Sequence, residues 1–261
     1  MRRLLSLALV AAATPTLAFA QRSADFTWSK TLPAGSRVNV SNINGSIRVI
    51  PSTSGKVEVT GVKRGSSGDF DEIKGVADES SRGVDICVVT ADHGNDCDSD
   101  SGDRGWRRHN RWDNVRMDLE VRVPANVTVE ANNVSGDVSV DGAQGDIRAG
   151  SVSGDVHLTH LRATSLHANS VSGDVEASLD ALSGRGDLSF QTVSGDVTID
   201  VPSPFDADLS MQTVSGDIDS DFPLTLQGGH MSRRRVEARI GQGGRRLDLQ
   251  TVSGDVRIRK H

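Results

Sequence analysis

Six aspartates recur in one setting along the second half of the chain. Asp137, Asp155, Asp174, Asp196, Asp217 and Asp255 each close a Val-Ser-Gly-Asp tetrapeptide. If the copies stack, their carboxylates form a column spaced by one strand separation, ~4.8 Å. Two such charges repel in water by only about 0.8 kcal/mol, so the column is tolerable unaided. It also makes a negative stripe that could hold Ca²⁺, although that ion takes about six to eight oxygens. The alternative is that each Asp bonds its own turn. A second acidic group, Asp96, Asp98, Asp100 and Asp103, begins like a calcium loop with acids at alternate positions. It then departs: Gly102 comes one residue late, and Arg107 stands where a bidentate Glu is expected. A solvated acidic Ser/Gly loop accounts for the same residues.

Arg104, Trp106, Arg107, Arg108, His109, Arg111 and Trp112 follow at once. Arg with Trp suits an anionic, partly apolar surface such as a lipid headgroup layer or another protein. The alternative, slightly preferred, is that the acids of Asp96–Asp103 fold back and neutralise these arginines. Arg233, Arg234 and Arg235, with Arg239, Arg245 and Arg246, form a second basic cluster that could meet an anionic envelope polymer. Ordinary surface arginines along strands explain it equally. His157, His160 and His167 lack a cysteine or a fixed third ligand spacing, so outward-facing histidines are a better reading than zinc. Cys87 and Cys97 are the only cysteines, and in an exported chain they form the only possible disulfide.

Catalysis by paired carboxylates, for example Asp155 and Asp174 as acid and base on a polysaccharide, needs environments that push two pKa values apart. Equivalent positions in every repeat do not provide that, and no nucleophile signature is present. The chain is therefore read as a non-enzyme.

The elements that position these residues follow from the repeat. The motif glycines Gly136, Gly154, Gly173, Gly195, Gly216 and Gly254 are 18, 19, 22, 21 and 38 residues apart. A period near twenty signals stacked units that cannot bury a core singly. Apolar residues sit three and five positions before each motif Val, as in Ala131 and Val129 or Phe190 and Leu188. They sit again four and six positions after it, as in Val138 and Val140. Spacing by two means strands with one buried face. The polar pairs before the motif, such as Asn132-Asn133 and Gln191-Thr192, are read as corners, with Asn and Gln bonding up the stack. Gly supplies a tight bend or a position with no room for a side chain. The expected fold is all-β: a single-stack parallel β-solenoid of ~20-residue coils with a polar loop insertion. Gln144-Gly145-Asp146-Ile147 and Arg185-Gly186-Asp187-Leu188 are half-repeats, and Asn42–Val49 is a degenerate copy.

Residues 1–20 read as a secretory signal peptide: Arg2-Arg3, an apolar run from Leu4 to Ala13, and Ala18-Phe19-Ala20 before the cut. Residues 21–36 form a lead-in, with Phe26 and Trp28 capping the open end. The solenoid spans 37–261, with non-repeat sequence at about 63–114. The formal net charge of −6 becomes more negative once Arg2 and Arg3 leave, which disfavours nucleic acid. Tyr is absent and aromatics are 3%, too few for sugar-stacking or base-stacking platforms. No segment beyond the leader is suited to spanning a membrane.

Repeats such as Gln191-Thr192-Val193-Ser194-Gly195-Asp196-Val197, the Val121-Arg122-Val123-Pro124 entry and the Ile240-Gly241 and Leu247-Asp248-Leu249 lead-in resemble the bacterial putative-adhesin domain family. The resemblance covers Arg37 to Arg259. It implies an exported β-solenoid associated with the cell envelope, in the periplasm or outside the cell. Some relatives are linked to envelope stress responses. The implied partner is an envelope component, a surface protein or a glycan. The family supplies no catalytic motif and no cofactor, and the Asp92–Asn114 insertion lies outside its pattern.

Overall fold

Alternation of apolar and polar residues dictates the secondary structure almost throughout. In the computed structural model, residues 24–65, 67–91, 94, 96–97, 115–125 and 127–261 are described. The expected leader at 1–20 lies outside them. The chain opens with β1 (Phe26–Lys30), β2 (Arg37–Asn44), β3 (Ile47–Pro51) and β4 (Val57–Gly65). A 3-10 turn at Ser67–Glu72 leads to β5 (Ile73–Ser80), β6 (Gly83–Thr90) and β7 (Val115–Val123). The motif region supplies β8 (Thr128–Ser135), β9 (Val138–Asp141), β10 (Gln144–Ser153), β11 (Val156–Ser172) and β12 (Val175–Leu182). It continues with β13 (Leu188–Gln191), β14 (Val197–Val201), β15 (Ala207–Gln212) and β16 (Ile218–Ser220). Last come β17 (Thr225–Ser232), β18 (Arg235–Ile240), β19 (Arg246–Gln250) and β20 (Val256–Lys260).

Each coil contributes one strand before its motif and one after it, and equivalent strands pair in parallel. After the motif, Ile47, Val138, Val156, Val175, Val197, Val256 and Ile218 lie in one register row. Before it, Val38, Val129, Ile147, Leu166, Leu188, Leu247 and Leu209 form the opposite row. All but Ile218 are buried. The rows face each other across a core of Val, Ile, Leu and Ala, with Phe190, Phe205, Met211 and Phe222 adding bulk toward the C-terminal end. The seventeen-residue β11 serves two coils. It bends at an irregularity between Leu158 and Leu161, where His160 has φ 52.

The sheet is mixed, which corrects the expectation of one parallel stack. At one end β5 runs antiparallel to β6, β4 to β7, and β1 to β4. At the other, β18 runs antiparallel to β15 and β17 to β18. A parallel coil that simply stopped would present a bare strand edge, and these antiparallel strands cover it. Phe26 of β1 packs over Gly75 and Gly61, where a side chain on either glycine would collide with it or with Met117.

Stacking order also departs from chain order at both ends. The β2–β3 coil lies between the β6–β7 layer and the β8–β9 coil. The final β19–β20 coil lies between β13–β14 and β15–β16. Each of these coils is thus flanked on both sides.

Candidate functional site

The corner of each coil is the one place where the six motifs meet, and it is built differently from the sequence expectation. Alternation does not break at the polar pair. It runs on, so that Asn133, Ser151, Ser170, Thr192, Thr213 and Thr251 point inward and are buried. The motif valines Val134, Val152, Val171, Val193, Val214 and Val252 consequently point outward and are 45–51% exposed. The phase changes one step later, at Ser-Gly-Asp, where the bend lies. A buried polar position is acceptable there because the bend supplies its partner. The Ser151 and Ser170 hydroxyls donate to the Gly136 and Gly154 carbonyls at 3.0 Å. Thr192, Thr251 and Thr213 donate to Gly173, Gly195 and Gly254 at 2.9 Å. Asn133 reaches the Gly45 carbonyl through Nδ2 at 2.6 Å. The first members of the pairs bond along their own strand instead, Gln191 to Ser189 and Gln250 to Asp248.

Glycine is required at the bend for two reasons. Gly195 has φ +151, and a Cβ there would lie 2.3 Å from the Gly173 carbonyl oxygen of the neighbouring coil. The backbones approach too closely for any side chain.

The aspartates do form a column, in the spatial order Asp137, Asp155, Asp174, Asp196, Asp255, Asp217. Each carboxylate but the last accepts the main-chain amide of the next Asp through Oδ1. The distance is 3.0 Å from Asp155 to Asp137 and 2.8 Å at each later step. The bond runs between coils and not within the turn. Asp118 does the same for the Ser46 amide at 3.1 Å. Arg257 bridges two members, donating to Asp196 Oδ2 at 2.9 Å and to Asp255. The Asp255 amide, helped by Arg257 against partial burial, holds the Asp196 pKa below its ordinary value. Burial opposes ionisation of Asp118, but the Ser46 amide and Arg64 outweigh it and lower its pKa as well.

The strands after the corner carry a second row on their outer side: Glu120, Arg48, Ser139, His157, Glu176, Thr198, Arg257 and Asp219. Its members differ from coil to coil, whereas those of the corner repeat. His157 stands 3.3 Å from Glu176 and 3.9 Å from Asp155. His160 pairs instead with Asp141 at 2.8 Å, a hydrogen bond that raises the His160 pKa. His167 lies beside Arg148 and Ser189 on the strands before the corner. Among the described residues, no group of three or more His, Cys, Asp or Glu is placed to hold a metal ion.

The basic cluster is dispersed. Arg235 pairs with Glu237 at 2.6 Å and Arg239 with Asp208 at 3.1 Å, while Arg233 and Arg234 occupy the β17–β18 turn. Arg245, grouped with them by sequence, is 7% exposed. Its guanidinium donates to four carbonyls, of Thr164, Ser183, Gly184 and Gly186, at 2.6–3.2 Å. Its neighbours in sequence, Gly244 and Arg246, give no sign of this role. Cys87 and Cys97 form a disulfide with Cα atoms 5.8 Å apart, tying residue 97 back to β6. Asp96 lies beside it; Asp98, Asp100, Asp103, Trp106, Arg107, Arg108, Arg111 and Trp112 fall outside the described residues. No helix among the described residues is long and apolar enough to cross a membrane.

The family described as Toastrack DUF4097 matches residues 31–259. No curated protein matches the chain. The fold is similar to that of a putative cell adhesion protein from Clostridium sporogenes. The two share 10% identity over 90% of this chain and 99% of that one, with a TM-score of 0.51. A putative adhesin from Bacteroides fragilis matches at 13% identity over 90% of this chain and 96% of that one, with a TM-score of 0.36.

Proposed function

The chain belongs to the Toastrack DUF4097 family, and from that premise we propose that it is an exported, non-enzymatic, adhesin-like binding scaffold of the cell envelope. The observation that carries this reading is the division of labour between the two rows. The repeated residues hold one coil on the next: Gly by close approach, Thr or Ser through the Gly carbonyl, Asp through the neighbouring amide. Residues consumed in this way in every coil are building material. The outer row after the corner, from Arg48 through His157 and Glu176 to Asp219, changes from coil to coil, as does the row before it from Glu130 through Arg148, His167 and Ser189 to Asp248, and discrimination between partners requires such variation. Their mixture of Arg, His, Glu and Asp suits a polar surface protein or glycan better than an apolar ligand. The column offers an enzyme no acid and base set apart: Asp137, Asp155 and Asp174 each accept the next coil's amide in the same way, and the partners of Asp196 lower its pKa.

The test is cosedimentation of the full chain with isolated bacterial envelopes, in calcium and in EDTA. Binding should persist in EDTA and fall when His157→Ser is combined with Glu176→Gln. Loss of binding in EDTA would instead restore calcium at the Asp column or the Asp96–Asp103 loop. No pelleting in either buffer would sink the envelope reading.

A further inference from the structure

Among the described residues, seven large apolar side chains stand well out in solvent, and six of them are the motif valines. None is needed for the corner, whose bonds are made by Thr or Ser, Gly and Asp. Yet all six coils carry Val there, in one straight column. We propose that this face is the interface of a parallel two-fold dimer with a second copy of the chain.

Spacing selects the occupant. The valines recur at the coil separation, ~4.8 Å, over five steps. A helix repeats at ~5.4 Å per turn, and alternate residues of a lone strand at ~6.6 Å, so neither keeps pace with six valines. Another stack of parallel strands does, and this chain is one. A face that repeats identically discriminates poorly among foreign partners but is self-complementary under a two-fold axis.

The flanking columns select the orientation. All coils cross the face in the same direction, so an amide column precedes the valines and the aspartates follow them. The amide column contains Asn132, Asn169, Gln191, Gln250 and Gln212, with Gly150 in one coil. A two-fold axis across the stack would set one copy's aspartates on the other's, a like-charge contact at every coil. An axis along the stack sets the amide column of each copy against the aspartate side of its partner. Each amide has two N–H donors, and the bond along its own strand uses one. Every aspartate but Asp217 uses Oδ1 for the next coil, which leaves Oδ2 of Asp137 and Asp174 to accept, and that of Asp155 with His157 3.9 Å away.

The area sets the strength. Six coils span about 30 Å, and the six residues from amide to aspartate at most about 16 Å, so two copies cover up to roughly 1,000 Å² in total. That lies at the lower bound for a specific interface, so the dimer should form reversibly with concentration.

Sedimentation velocity of the full chain from about 1 to 200 µM should show monomer passing to dimer. Val193→Lys meets its own copy across the axis. It should raise the dissociation constant by at least about 100-fold, while the monomer's unfolding temperature stays unchanged because the side chain lies outside the core. Val134→Cys should give a covalent dimer on mild oxidation, since in the parallel arrangement each copy's residue faces itself. With the axis across the stack it would face the Val214 end, about 24 Å away from its twin. A parent protein that stays monomeric throughout, or a Val193→Lys variant that dimerises as tightly, overturns the proposal. A dimer in which Val134→Cys fails to cross-link overturns its parallel arrangement.

Discussion

At the corner of a parallel stack two main-chain groups per coil turn away from the ladder, and a buried group left unpaired costs about 1–3 kcal/mol. Here they are the glycine carbonyl and the aspartate amide, and side chains of adjacent coils replace the missing partners. Asp174→Ala should therefore lower stability by about 1–3 kcal/mol, because the Asp196 amide loses its acceptor. Asp174→Asn keeps an oxygen in place and should cost a fraction of that in the same urea titration. Asn133 offers the converse test. Its Oδ1 is buried without a hydrogen bond, whereas the other copies of the motif carry Ser or Thr at that position. Asn133→Thr should preserve the bond to Gly45 and remove the orphan acceptor, stabilising the protein by about 1 kcal/mol. The column also fixes the response to acid. Folded Asp196 and Asp118 titrate below their ordinary value of 3.8. Their contribution is therefore complete above the unfolded value and is lost as pH falls through the folded ones. Thermal unfolding followed downward from neutrality should show this loss only below about pH 4, and Asp196→Asn should flatten it. The outward motif valines were hidden from sequence reasoning at this scale. An apolar residue beside two polar ones looks like an inward residue next to a corner. Only the hydroxyl-to-glycine bond reveals that the polar residue is the buried one.

Among the elements, strands were legible wherever side chains alternate under a single rule. Val115 to Val123 is the plainest case, with Val, Met, Leu, Val and Val all buried at every second position. Loops follow no such rule, and Arg245 shows the consequence. Its charge and its company of arginines suggest surface, yet it is the post around which the 183–187 loop is wound. A planar guanidinium can serve four carbonyls at fixed angles; an ammonium on a flexible stem cannot. Arg245→Lys should cost at least about 2 kcal/mol, close to the cost of Arg245→Met. Proteolysis should then begin within Ser183–Asp187. A lysine variant as stable and as resistant as the parent would show that the carbonyls find water instead.

For the molecule as a whole, the repeat spacing announced a stack and one irregularity, the 38-residue step from Gly216 to Gly254. It could not say what fills that step, because register rows are set by contacts between coils and leave no periodic trace in the sequence. The chain uses the interval for β17 and β18, which close the end, and then returns to lay β19–β20 inside the coil already passed. The C-terminal segment is consequently an interior layer. In a sequential solenoid, removing the last coil trims one end and leaves the remainder standing. Deleting residues 246–261 here withdraws the parallel neighbour of β13 and β14 on one side and of β15 and β16 on the other. It exposes two apolar strand edges in the middle of the stack, and β15 to β18 keep only their antiparallel hairpin contacts. Hydrogen exchange should then show protection lost from Leu188 through Ile240 together, while the β2 to β10 ladders stay protected. A truncated protein that loses protection only in β15 and β16, or that keeps its full unfolding temperature, would mean that these strands can close onto β13 and β14 directly. The tucked order would then be a matter of sequence history and contribute nothing to stability.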